Sequence, residues 1–259
     1  MMMMMMMMIV VMTEAAVTPS TPPSPPSPPP PTTTTATTAT TASHRTEDED
    51  WEEEEEEQTV FLWHGGVVPY VFGDSITASQ RSIILQAMGD IHNKTCVRFT
   101  HRHSNETDHI EIHSDRPGCR SSVGRAGGRQ TLHLNAKECM DVGTVIHELL
   151  HILGLFHEHS RADRSRYITV NLHNVIPEMR PDFAIVAGRS LAVGYNYDSI
   201  LHYGPYAFSK SPGVKQTIVP KDPEADIKDP WQRTEMADTD ALYVNELYRD
   251  QCRLNVSQE

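Results

Sequence analysis

The sequence predicts an α+β domain over residues 59–259, a small sheet with helices before and after a histidine cluster. Three observations carry that prediction. Short segments alternate apolar and polar residues as half-buried strands do, and longer ones repeat apolar residues at helical spacing. Residues 1–58 contain no pattern that packs.

That first segment holds eight leading methionines, a Pro/Ser run, a Thr/Ala run and "EDEDWEEEEEE". Nine of the 18 prolines fall between 19 and 31, where fixed φ and missing amide protons favour an extended chain. Too little apolar surface is available to offset ordering entropy, so 1–58 is expected to be disordered. "MMMMMMMMIVVM" is apolar but too short to cross a bilayer. It resembles a signal-peptide core lacking a basic start, and is expected to act as a signal or pro segment.

In the remaining region, "TVFLWHGGVVPYVF" (59–72) reads as an entering strand around Gly65-Gly66. "TASQRSIILQAMGDIH" sets Ile83, Ile84, Ala87, Met88 and Ile91 on one helical side, with Thr77 or Ser79 as cap. "CVRFTHR", "HIEIHS" and "QTLHLN" alternate like strands, and "RPGCRSSVGRAGGRQ" between the last two reads as a loop. Asp141 is placed to cap a helix from about Val142 to Leu153. "YITVNLHNVIPEM" predicts a short strand and then a helix ending before Pro181, followed by a Gly-, Pro- and Tyr-rich stretch from Tyr195 to about Pro230. The last helix, "ADTDALYVNELYRDQC", is expected to turn Ala241, Leu242, Val244, Leu247 and Tyr248 inward, capped by Asp238 or Thr239.

Charge narrows the function. The net charge of −13 is concentrated at 44–57, which has ten acids against one arginine. The near-neutral domain that remains offers no electrostatic case for binding nucleic acid. Cys96, Cys119, Cys139 and Cys252 form no CxxC pair, and their even number suits two disulfides in an oxidising compartment. Sequons at Asn93, Asn105 and Asn255 point the same way, towards a secreted glycoprotein.

The chemistry lies in "VIHELLHILGLFHEHSR" (145–161). His147 and His151 are four residues apart and project from one helical face, where neutral imidazoles can share a Zn²⁺ ion. Glu148 is rotated around the axis, able to reach a water at the metal without ligating it, as HExxH requires. Gly154 can end the helix in a left-handed conformation and turn His157 back as the third ligand. His159 is expected to point elsewhere, and His101, His103 and His133 to be structural or exposed.

Together "HELLHILGLFHEHSRADR", "WHGGVVPY", "CVRF", "GCRSSVGRAGGRQTLHL", "YDSILHY" and "TIVPK" closely resemble the astacin family of metzincins, from about Trp63 to Cys252. The resemblance implies a catalytic-domain-only metzincin fold: an N-terminal twisted sheet with two long helices, a cleft, and a C-terminal part with few regular elements and a final helix. It implies His147, His151 and His157 as ligands of one zinc, Glu148 as catalytic acid/base and Tyr203 as ligand and oxyanion donor. It also pairs Cys96 with Cys252 and Cys119 with Cys139, and makes Glu158 the anchor of a processed N-terminus. Lys228 or Arg233, in "IKDPWQRTEM", would help wall the pocket beyond the scissile bond, although both read first as surface charges.

Three positions depart from the family pattern. Leu201 stands where the Met-turn has methionine, a swap of similar volume expected to cost little. The family's FxGD pro-segment motif is absent from 1–58, while "VFGD" at 71–74 falls inside the domain, with Asp74 expected in a turn. The maturation site would fall in or near "WEEEEEEQ". The implied function is a secreted, monomeric zinc endopeptidase acting on protein and peptide substrates without membrane insertion. The alternative is a zinc-binding module without turnover.

Overall fold

The computed structural model describes residues 56–57, 60–187 and 193–256. The low-complexity segment, its signal-like start and the side chain of Asn255 therefore lie outside the described residues. Strand β1 (Glu56–Glu57) is followed by a one-turn 3₁₀ helix at His64–Gly66, not by a strand beginning at 59. Gly65 and Gly66 both take positive φ, which bends the chain before β2 (Val67–Phe72) begins.

Helix α1 (Ala78–Lys94) starts where its cap chemistry says it should. The Thr77 hydroxyl accepts from the Gln80 amide, and the Gln80 side chain accepts from the Thr77 amide at 2.8 Å. Ile84, Ala87, Met88 and Ile91 are buried, as their spacing requires. Strands β3 (Arg98–His101), β4 (His109–His113), β5 (Cys119–Arg120) and β6 (Arg129–Leu134) complete a five-stranded sheet in the order β3-β2-β4-β6-β5. Its inner pairs are parallel, with Tyr70 opposite Ile110 and Ile110 opposite Gln130. Only β5 runs antiparallel, along the edge, with Cys119 opposite Leu134. Asp74 lies in the turn after β2.

Helix α2 (Val142–Ile152) is capped by Asp141, whose carboxylate accepts from the Thr144 amide at 2.8 Å. It is buried on every side from Gly143 to Ile152, since α1 covers one face and the C-terminal half of the chain the other. A Cβ at Gly143 would overlap the Pro230 and Arg233 carbonyls, so this helix start admits only glycine without movement.

After the cluster, β7 (Ile168–Val170) pairs antiparallel with β9 (Ile218–Pro220), and β8 (Val186–Ala187) lies parallel to β1. The helix expected to end before Pro181 is instead two 3₁₀ segments, Leu172–Asn174 and Pro177–Phe183, the second running through Pro181. A proline lacks the amide an α-helix would use, and the tighter turn tolerates it here.

The final helical region is α3 (Asp238–Leu247) and α4 (Arg249–Val256). Its cap position is Ala237 rather than Asp238 or Thr239, because the buried Asp240 accepts from the Ala237 amide at 3.3 Å. Leu242 is 57% exposed, contrary to the expected inward face, whereas Ala241, Val244 and Tyr248 are buried.

Two apolar clusters result. One lies between the sheet and α1, α2 and α3; the other gathers Ile168, Val175, Phe183, Phe208 and Ile218 around Tyr203. Disulfides join Cys96 to Cys252 and Cys119 to Cys139, at Cα separations of 6.1 and 5.8 Å.

Candidate metal and catalytic site

Helix α2 ends in a Schellman motif: the Gly154 amide bonds the His151 carbonyl at 2.8 Å, and the Leu155 amide bonds Leu150 at 3.1 Å. Gly154 has φ +98°, a conformation that a side chain would strain. The reversal delivers His157, and the Glu158 amide fixes the new direction by bonding the Leu201 carbonyl at 3.1 Å.

The three imidazoles converge. Their Nε2 atoms are 3.0 Å (His147–His151), 3.1 Å (His151–His157) and 3.2 Å (His147–His157) apart. The edge of a tetrahedron around zinc, with bonds of about 2.0–2.1 Å, is roughly 3.3–3.4 Å. His147 Nδ1 donates to the Ile200 carbonyl and His151 Nδ1 to the Leu155 carbonyl, both at 2.7 Å. With the proton on Nδ1, each Nε2 lone pair faces the common centre. Buried lone pairs pointing at one another repel unless a cation sits between them, so the donor set fits zinc. Burial holds the His147 pKa well below the usual imidazole value, which keeps the ring neutral, as a metal ligand must be. Among the described residues this is the one cluster of His, Cys, Asp or Glu side chains close enough to hold a metal.

Glu148 is buried beside the trio, and desolvation raises its pKa to about 7. Opposing that rise, the Ser121 hydroxyl donates to its carboxylate at 2.6 Å, and the Arg120 charge favours the ionised form. Ser121 follows edge strand β5. It stood within "GCRSSVGR", but no local pattern tied it to a residue 27 positions later.

Tyr203 places its ring 4.3 Å from the His157 ring, and burial, then Asp182 and Glu148, hold its phenol protonated well above the usual range. His159 does not join the trio; it stacks on Tyr203 at 4.0 Å. Leu201 is buried in the main apolar cluster, between Ile200, which bonds His147, and His202 in the chain. Ile200 is held in turn by the buried Asp240, whose carboxylate accepts from the Ile200 amide at 2.9 Å and the Ser199 hydroxyl at 2.7 Å.

Glu158 is buried and is not one of the three clustered side chains. It accepts from the Asn196 amide at 2.9 Å and pairs with Arg161 at 3.2 Å, while Arg161 also grips Asp163 through two bonds of 2.9 and 3.0 Å. Arg233 donates to the carbonyls of Tyr197, Asp198 and Lys228, so it ties loops together; Lys228 is exposed and pairs with Asp226. His101 and His103 are exposed, and His133 lies 3.2 Å from Asp115.

Comparison with known proteins agrees with this geometry. Residues 55–249 match the family model for Astacin (Peptidase family M12A). The zinc metalloproteinase nas-14 of Caenorhabditis elegans is 41% identical over 192 residues, 73% of this chain but 37% of that protein. The low choriolytic enzyme of Oryzias latipes is 37% identical over 183 residues, covering 70% of this chain and 65% of the relative. This chain thus spans from about a third to two thirds of the length of these two relatives. The solved structure of high choriolytic enzyme 1, a hatching-enzyme zinc-protease from the same fish, superposes with a TM-score of 0.66 at 34% identity. The alignment covers 79% of this chain and 98% of that one. With a metzincin site on a matching fold and three quarters of its length within the family model, the chain belongs to the astacin family.

Proposed function

We propose that the chain is a zinc endopeptidase that hydrolyses internal peptide bonds of proteins. The observation that carries the reading is the convergence of three Nε2 atoms within 3.2 Å of one another beside a buried carboxyl group. Zinc bound there would supply a Lewis acid and bring the pKa of water to about 7.

The chain's own groups account for the proton traffic. Glu148 takes the proton of the attacking water, and a pKa of about 7 lets it return that proton to the leaving amide nitrogen. Ser121 holds the carboxylate in place through one oxygen. The Tyr203 phenol, kept protonated, donates to the oxyanion that develops on the carbonyl. Glu158, already partnered by Arg161 and Asn196, is the acid that would receive a processed N-terminus.

Secretion is supported by the two disulfides and by the exposed Asn105 in a turn. Asn93 is exposed on the last turn of α1, but the Thr95 of its sequon is buried and bonded to Ile91, so Asn105 is the better acceptor. Among the described residues no helix is long and apolar enough to cross a membrane.

The test is Glu148→Ala in the full chain, with zinc content and casein hydrolysis measured together. Retained zinc with hydrolysis lowered by at least about a thousandfold is expected. Undiminished hydrolysis overturns the assignment. A wild-type protein that binds zinc but turns over no peptide in a broad library is the inert module.

A further inference from the structure

His159 is the histidine that the metal leaves over. Its side chain is fully buried, so solvation does not explain it, and it lies two residues from the third ligand. Its ring packs against the Tyr203 ring at 4.0 Å with 25° between the planes. Among the ring contacts of Tyr203 this is the shortest: His157 is at 4.3 Å, Phe208 at 5.5 Å and Phe183 at 5.7 Å.

The His157, Tyr203 and His159 rings form a triangle with sides of 4.3, 4.0 and 5.3 Å. His159 has little freedom to leave it. Its Nε2 donates to the Asp182 carbonyl at 3.0 Å, and Phe183 flanks its ring at 5.3 Å. Arg164, also buried, ties the same turn by donating to the His159 and Phe183 carbonyls.

We propose that His159 is a positioning residue for catalysis: its ring is the flat support that sets where the Tyr203 phenol stands relative to the His157 side of the site. This rests on the endopeptidase reading, because the phenol matters only where an oxyanion forms. The support works through shape. A stacked ring resists tilting of its neighbour, and an oxyanion donor must be in place before the charge develops. A misplacement of about 1 Å is enough to cost on the order of a hundredfold in rate.

The prediction separates position from folding. His159→Ala should lower kcat by about ten- to a hundredfold, with KM within about threefold and zinc content unchanged. His159→Phe keeps a flat ring and should recover most of that loss, although the bond to Asp182 is gone. In a Tyr203→Phe background, His159→Ala should add less than about twofold, because the group it positions is already missing. A readout independent of turnover is the ring ¹³C–¹H signal of Tyr203, assigned through Tyr203→Phe. Its ring-current shift should collapse in His159→Ala and persist in His159→Phe.

Loss of zinc from His159→Ala, a kcat within twofold of wild type, or an undiminished effect in the Tyr203→Phe background overturns the proposal. So does a Tyr203 signal unmoved by His159→Ala. A wild-type protein without chelator-sensitive hydrolysis overturns the enzyme reading and this proposal together. An active wild type matched by His159→Ala overturns this proposal alone.

Discussion

Gly154 does more than stop a helix. Its φ of +98° closes the Schellman motif, and the same turn presents the Leu155 carbonyl that orients His151. One backbone conformation therefore places His157 against the other two imidazoles and fixes the tautomer of His151. An L-residue in that region costs about 1–2 kcal/mol, and a Cβ would also meet Val60 at 2.8 Å. Gly154→Ala is expected to lower the thermal midpoint by about 2–8 °C, at about 2–4 °C per kcal/mol for a domain of this size. It should also weaken zinc binding, measurable by competition with a chromogenic chelator; unaltered affinity would separate the turn from the ligand geometry. Leu201, by contrast, fills its buried place without a polar requirement, which is why a methionine position accepts it.

Between elements, α3 braces the candidate metal site through Asp240. Asp240 holds Ser199 and Ile200, and the Ile200 carbonyl holds His147, so one carboxylate reaches His147 through a single residue. Burial raises its pKa to about 6, above the ordinary 3.8, so the folded state binds the proton more tightly than the unfolded chain. The stabilisation from that proton is complete below pH 3.8 and is lost as pH rises through 6. Asp240→Asn removes this contribution. The fall in stability between about pH 4 and 7, followed by urea unfolding of the metal-free protein, should be shallower than in wild type. An identical slope would mean that Asp240 does not titrate in this window. The introduced amide can turn its oxygen to the Ile200 and Ala237 amides and its nitrogen to the Ser199 hydroxyl, so the pH slope is the readout that isolates the lost titration.

Across the molecule, the Cys96–Cys252 bridge joins the bend before β3 to the last helix over 156 residues. A loop of that length restrains the unfolded chain strongly, by about 5 kcal/mol in the chain-entropy account. The Cys96→Ser/Cys252→Ser pair should lower the thermal midpoint by about 10 °C or more. The Cys119→Ser/Cys139→Ser pair, closing a loop of 20 residues, should cost less; equal losses would contradict the loop-length argument. The sequence by itself determined the elements with local causes: α1 from apolar spacing and the Thr77 cap, α2 from Asp141, the strands from alternation. It also placed His147, His151 and Glu148, because a helix of 3.6 residues per turn fixes their faces. His157 was legible through Gly154, and Tyr203 through the family resemblance. Where proline and buried polar groups compete with periodicity, at Pro177–Phe183 and at the Ala237 cap, local reading failed. Tertiary structure alone decided that Ser121 meets Glu148, that Asp240 carries Ile200, and that His159 lies flat against Tyr203. Those partners are 27, 40 and 44 residues apart, and no covalent geometry spans such distances. Only the return of the chain across α2, driven by burying two apolar clusters, brings them within contact.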